Sequence, residues 1–458
     1  MSNITKIIGG LAVAGGIAVV ATPVIYQKQI EKNIKQEKQL LLQNNVTVTE
    51  KTNKDSFFNI KREYILTLTD VAPIIKKYYP NVRSYDLRDF KKAFDGTQFL
   101  VELDFSKFPI SHKDAIKISL YKLNDYAQNN LKNDYTGKEI LKFIQNKGLE
   151  VLIDTNSLDI TKARLKDIAL TLHKSQNSGD SLNINIANAY TTFGNTIKTN
   201  TDLIKFNFYE RNSNFTMSLN NIKYDVSKKD DFNYKTNMTI NKINFDMSKK
   251  SYYSNRMKKT SFALTDFTSS STAKTIVNTL SISSSSSIKN AKIIADKNNI
   301  DINDLKFNFS IDKLDLVNMK KIVALVQNNP NPNPDELVPY IQKIVNNGFI
   351  IKINPLSFQK IAIKDKYKNI TLEPFTLKFN TTLEHNNLNK YSNPQQILRY
   401  IQANLHITTT KSNADMLIKQ NPMFAVYLSQ ISKQNNNKID IDISFKNGKL
   451  TSYGKQIH

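Results

Sequence analysis

The chain has 458 residues, with 64 Lys and Arg against 40 Asp and Glu, a formal charge of +24 and a pI near 9.6. It contains no cysteine and no tryptophan, which excludes disulfides, thiolate catalysis and cysteine-ligated metals. The cations are overwhelmingly lysine, spread through an Asn- and Ile-rich chain in alternation with apolar residues. They read as solvated strand faces, so no nucleic-acid partner is expected, and weak attraction to anionic lipid headgroups is the better use of such charge.

The first predicted element is a transmembrane anchor within residues 1–26. Ile7 to Tyr26 reads IIGGLAVAGGIAVVATPVIY, without a charge, between Lys6 and Lys28. Twenty residues at about 1.5 Å rise span roughly 30 Å, the hydrocarbon thickness of a bilayer, and a helix there satisfies its own backbone. A cleaved signal peptide and a buried core helix are the alternatives. Ala12-Val13-Ala14 comes too early for a cleavage site, and the polar flank after Tyr26 offers none. Gly9, Gly10, Gly15 and Gly16 are either a close-packing face for a homo-oligomer or the ordinary small residues of a membrane helix. Lys28, Lys32, Lys35 and Lys38 follow the helix and, by count, argue against export of what comes after.

Residues 27–45, with Ile30, Ile34 and Leu41 in a weak helical stripe, predict a helical stalk. From Phe57 the pattern changes to period two, the mark of strands with one buried face. It appears in Ile60–Thr69, Phe99–Phe105, Leu182–Ile186, Ile204–Phe208, Phe215–Leu219, Ile240–Met247, Leu305–Ile311, Phe375–Phe379 and Leu405–Thr409. One wet face implies antiparallel pairing. The fold class expected is α+β and β-rich: an extended, curved, mostly antiparallel sheet with a few packing helices, plus the N-terminal transmembrane helix. Residues 46–458 form the β-rich domain, either undivided or as two related halves, 46–200 and 201–458.

Short helices are predicted at Asp70–Tyr79 and Leu87–Phe94, then at Gly137–Lys147 with Gly148 as its cap. Leu316, Met319, Val323 and Val326 form a further helical stripe. The Asn-Pro run 329–334 is an extended loop, and a helix follows from Asp335 to Asn347, capped by Gly348. Residues 414–433 are expected to be the longest helix after the anchor, with Pro422 as a kink. The stretches 146–154 and 346–354 both read helix, glycine, strand. That is either a trace of two related halves or the ordinary handover from helix to strand. The serine tracts near Ser269 and at Ser283–Ser287 read as loop or polar edge strand. Ile439–Phe445, Asn447-Gly448 and Lys449–Tyr453 form a closing hairpin.

Site chemistry is sparse. No phosphate-cradling glycine loop occurs. His112, His173, His385, His406 and His458 have no partners at metal-ligand spacing, and no Gly-x-Ser-x-Gly elbow is present. Asp86/Asp89 and Asp440/Asp442 are acid pairs of the kind that could do acid–base work. Asp440 and Asp442, however, alternate with Ile439, Ile441 and Ile443, which makes them the wet side of a strand. No catalytic, cofactor-binding or metal-ligating residue is assigned, and no cofactor.

Tyr26 with Ile30-Glu31, then Ile353-Asn354-Pro355-Leu356-Ser357-Phe358, then the closing Phe445-Lys446-Asn447-Gly448-Lys449-Leu450-Thr451-Ser452-Tyr453-Gly454 resemble the YdgA-like family. These are bacterial envelope proteins of unknown function with one N-terminal anchor and a large periplasmic part. Ser106-Lys107-Phe108-Pro109 falls where that family often has His-Gly-Pro-Phe-Pro; the histidine and glycine are absent here, so no role carries over. The resemblance spans nearly the whole length through short motifs. It implies a single-pass protein of the bacterial inner membrane with its C-terminal part periplasmic, against the lysine count, and it supplies no catalytic residue. The expectation is a non-catalytic envelope protein on a membrane lipid bilayer. Its β-sheet groove holds a lipid or other apolar ligand, or else the chain is a self-associating scaffold.

Overall fold

The computed structural model describes residues 35, 38–54, 59–79, 82–106, 111–156, 159–175, 179–250, 257–329, 332–365, 367–388 and 394–457. The predicted anchor lies outside them, as does most of the stalk, of which residues 38–43 are helical. Among the described residues no helix is long and apolar enough to cross a membrane. The chain is β-rich, its strands pair antiparallel, and helices are few. Packing divides it between Ser218 and Leu219 into two compact units.

In the first unit, β1 (Val46–Asn53), β2 (Asn59–Leu68), β3 (Gln98–Ser106), β4 (Ser111–Lys122), β5 (Glu150–Asn156) and β6 (Asp159–Leu165) pair in sequence. The sheet continues through β7 (Ile168–His173), β8 (Ser181–Ala187), β9 (Ala189–Thr192) and β10 (Thr196–Glu210), with β6 on β9, β7 on β8, and β10 on both β8 and β9. Between β2 and β3 stand α1 (Ala72–Tyr78) and α2 (Ser84–Phe94). Between β4 and β5 stand α3 (Asp125–Lys132) and α4 (Tyr135–Gln145). Asn124 and Asp134 cap α3 and α4, accepting the amides of Ala127 and Gly137, an arrangement worth about 1 kcal/mol each. Ile116, Ile118, Ile144 and Ile153 centre the core. Each fully buried aliphatic side chain contributes roughly 1.5–3 kcal/mol.

The second unit is a run of long hairpins. After β11 (Ser213–Asp230), which crosses the boundary, come β12 (Asn233–Lys250), β13 (Met257–Ile276), β14 (Thr279–Ala295) and β15 (Asn298–Asp315). β15 pairs with both β16 (Phe349–Phe358) and β17 (Lys360–Lys364). These pair with β19 (Phe375–Leu383) and β18 (Asn369–Leu372) respectively. β20 (Ile401–Thr410) lies between β19 and β22 (Lys438–Lys446). The short β21 (Ser432–Asn435), β23 (Lys449–Ser452) and β24 (Lys455–Gln456) finish the unit. Helices α5 (Leu316–Asn328) and α6 (Pro334–Asn347) join β15 to β16, while α7 (Lys411–Gln420) and α8 (Met423–Ile431) follow β20. A helical pair thus joins two antiparallel neighbours twice in the first unit and once, between β15 and β16, in the second, whereas α7 and α8 lead from β20 to β21, each of which pairs with β22.

Each stretch of period-two alternation predicted as a strand lies within one, apart from Thr69, which follows the end of β2, and the closing hairpin turns on Asn447 and Gly448, both at positive φ. Three expectations are corrected. The span 414–433 is two helices, not one, broken at Asn421-Pro422, because Pro422 cannot donate into the preceding turn; its last residues belong to β21, and α6 is longer than either. The serine tracts are neither loop nor edge. They lie opposite one another in β13 and β14, which have partners on both sides, and Ser269–Ser286 and Ser271–Ser284 join hydroxyls at 3.1 and 3.2 Å. Gly148 does not supply the left-handed cap of α4. Lys147 does, at φ 51, and Gly148 instead gives room to the Phe143 ring. At the matching handover, Gly348 itself has φ +76.

Candidate ligand-binding face

Register in the second unit collects the apolar members of every strand on one side. One row runs Ser271, Ser284, Phe309, Ile353, Phe379, Leu405, Ile443. The next runs Met238, Ser269, Ser286, Phe307, Leu356, Leu377, Ile407, Ile441. Further along the strands lies Phe245, Phe262, Ile293, Ile300, Ile363, Ile370.

These rows stay on one side because of a break in period. Between Ile240↔Phe267 and Lys242↔Thr265 the ladder skips Asn241 and Asp266, and Asp266 has φ 51. Asn221 and Asp304 are also left-handed, a conformation that Asn and Asp tolerate. Apolar residues are spaced by three there instead of two: Ile240/Ile243, Leu264/Phe267, Ile288/Ala291 and Ile302/Leu305. The odd step offsets the turn of the backbone, so the apolar side is kept.

The other side is polar and bonded to itself. Ser285 donates to Asn308 at 2.6 Å, Asn308 to the Asn354 carbonyl at 3.0 Å, Lys352 to Asp312 at 3.0 Å, and Ser444 to Asn404 at 2.7 Å.

Among the described residues, helices cover only parts of the apolar side. α5 and α6 pack where Ala273, Leu280 and Leu314 are buried, together with Ile282 and Ile311. α7 and α8 pack on Ile407, Ile439, Ile441 and Ile443. Neither cluster includes Phe245, Phe262, Phe307, Phe309, Ile353 or Phe379. These remain half-buried, with Phe307 40% and Ile293 36% exposed. The rings of Phe307 and Phe309 stack at 6.4 Å, those of Phe358 and Phe375 at 5.4 Å. The four serines are small side chains among large ones, in register with Phe307 and Phe309. An uncharged surface of this composition can bind hydrocarbon; it offers no group for acid–base work.

The residues weighed as chemistry are dispersed. His173 Nδ1 meets Glu139 at 3.0 Å. His406 lies 3.7 Å from Asp442 and 3.2 Å from the Thr408 hydroxyl, which donates to Asp440 at 2.8 Å. Burial, with the charges of Asp440 and Asp442, pushes the Tyr453 hydroxyl up; that hydroxyl donates to the Asp440 carbonyl at 2.7 Å. Asp86 pairs with Arg83, on the exposed helix α2. His385 is exposed, the side chain of His112 lies outside the described residues, and so does His458. Among the described residues no three His, Asp or Glu gather as metal ligands.

A hollow of about 920 Å³ in the first unit is lined by Arg88, Lys91, Lys92, Lys122, Asp95 and Tyr126, among others. Sequence reading missed it, because its cations come from α2 and β4, far apart in the chain. Lys91 bonds both Asp70 and Asp95. The Lys91 bond, with the Ala72 amide, holds Asp70 below the usual carboxylate range.

No family model matches the chain, nor does any curated protein or solved structure.

Proposed function

We propose that the chain is a non-catalytic, membrane-anchored envelope protein whose second unit binds lipid, or another apolar ligand, along the groove of a curved β-sheet. The supporting observation is the apolar side of β12–β19, where Phe245, Phe262, Phe307, Phe309, Ile353 and Phe379 lie outside the clusters made by the helices of the unit. Burying one such side chain is worth roughly 1.5–3 kcal/mol, so a row of them supplies a driving force for acyl chains without any charged contact. The uncharged segment Ile7–Tyr26 would tether the chain to the source of such ligands. The family resemblance would place the remainder in the periplasm, with the anchor in the bacterial inner membrane.

The test is photolabelling of the full chain in its host membrane. A benzophenone side chain at Phe307 is expected to form lipid adducts, whereas one at Lys306, on the polar side, is not. Ser284→Phe, which sets a ring opposite Phe309, should lower the Phe307 yield at unchanged thermal stability. Absence of lipid adducts at Phe307, or equal yields at both positions, overturns the proposal.

A further inference from the structure

The helix Met423–Ile431 has the sequence MFAVYLSQI, yet none of its residues is buried. Leu428 and Ile431 touch the sheet. Met423, Phe424, Val426 and Tyr427 are 57%, 41%, 53% and 54% exposed, and Leu417 on α7 adds 46%. A helix that is apolar most of the way round belongs in apolar surroundings, and a contiguous exposed patch of this kind marks a contact site.

We propose that the α7–α8 pair is a docking element for the surface of an anionic bilayer, with Met423, Phe424, Val426 and Tyr427 entering the interfacial layer. Charge selects this occupant. From Lys411 to Lys438 there are four lysines, Lys411, Lys419, Lys433 and Lys438, and a single acid, Asp415. Apolar residues beside lysines are the composition of interfacial helices, and tyrosine suits the headgroup level. The serine hydroxyls in α8 and just after it do not need water. Ser429 donates to the Val426 carbonyl at 2.7 Å and Ser432 to the Leu428 carbonyl at 2.5 Å, which is how serine is accommodated outside water. The inference goes beyond ligand binding on the sheet and stands whether or not Phe307 labels lipid.

Because the chain has no cysteine, one introduced thiol is a unique label. Val426→Cys, carrying an environment-sensitive fluorophore, is measured in the full chain. The protein is reconstituted into vesicles of phosphatidylglycerol and phosphatidylcholine, or of phosphatidylcholine alone, each containing nitroxide lipid. Ser283→Cys, on the polar side of β14, is the control. Quenching at 426 is expected to exceed the control by at least about threefold in the anionic vesicles and to fall in the neutral ones and at high salt. Adding Phe424→Asp should reduce it at unchanged circular dichroism. Quenching no greater than the control overturns the proposal. So does equal quenching in both vesicles, or a blue shift that follows protein concentration rather than lipid, the mark of a second copy on this face.

Discussion

Arg164 on β6 donates through Nη2 to Asp154 on β5 at 3.2 Å, and the same nitrogen bonds Asp114 on β4. The Asp114 amide also donates to Asp154 at 2.9 Å, and Asp114 is left-handed, at φ 55. One guanidinium thus ties three strands where the β4–β5 ladder is irregular.

Removing the cation leaves two carboxylates facing each other. The three side chains are 20–30% exposed, so the cost falls below that of breaking a fully buried pair. Arg164→Met should destabilise the chain by about 2 kcal/mol in urea unfolding. Adding Asp114→Asn and Asp154→Asn should recover most of that, since Asn tolerates φ above zero and no unpaired charge remains. A triple variant as unstable as the single one would refute this account.

The two helix-to-strand glycines should differ on substitution. A Cβ on Gly348, at φ +76, would lie 2.3 Å from the backbone carbonyl oxygen of Leu383. One on Gly148, not at positive φ, would meet the Phe143 ring first, also at 2.3 Å. A ring can turn aside, whereas a paired strand cannot. Gly348→Ala should cost about 2–3 kcal/mol, from left-handed strain and the clash together, and Gly148→Ala about half of that. Differential scanning calorimetry on the two variants checks the order.

The start of α5 should carry a pH signature. Burial pushes Asp315 up. The amide N–H and side chain of Asn318, the Asn347 side-chain amide and the Val317 N–H outweigh it, and the carboxyl sits below its usual range. A depressed folded-state pKa contributes stability that is complete above the unfolded value, about 3.9, and is lost as pH falls through the folded value. Asp315→Ala should cost about 1–2 kcal/mol at pH 7. The gap to the natural chain should narrow below about pH 4. A gap of constant size in urea titrations from pH 7 to pH 3 would contradict it.

Strands were legible wherever Ile, Leu, Val or Phe alternate with Asn, Lys or Thr, as in Phe375-Thr376-Leu377-Lys378-Phe379, because period two has one stable reading in water. Ser283–Ser287 was not legible: serine has no hydrophobic period of its own, and its place follows from flanking Ile282 and Ile288 and from partners in β13 and β15. The break at Asn421-Pro422 was foreseen as a kink, but the switch to β21 depends on pairing with β22. The left-handed residue after α4 was read as Gly148 by propensity, whereas packing against Phe143 moves it to Lys147.

The sequence by itself determined the apolar N-terminal segment, the antiparallel β character, the closing hairpin and the absence of any thiol. These are local properties, set by hydropathy period, turn residues and residue inventory. Tertiary structure alone decided that the apolar members of eight and more strands share one side, that left-handed Asp266 and its neighbours keep them there, and that helices leave much of that side uncovered. Register places in one row residues more than a hundred positions apart, such as Ser284 and Leu405, and no local pattern encodes which strand will lie beside which.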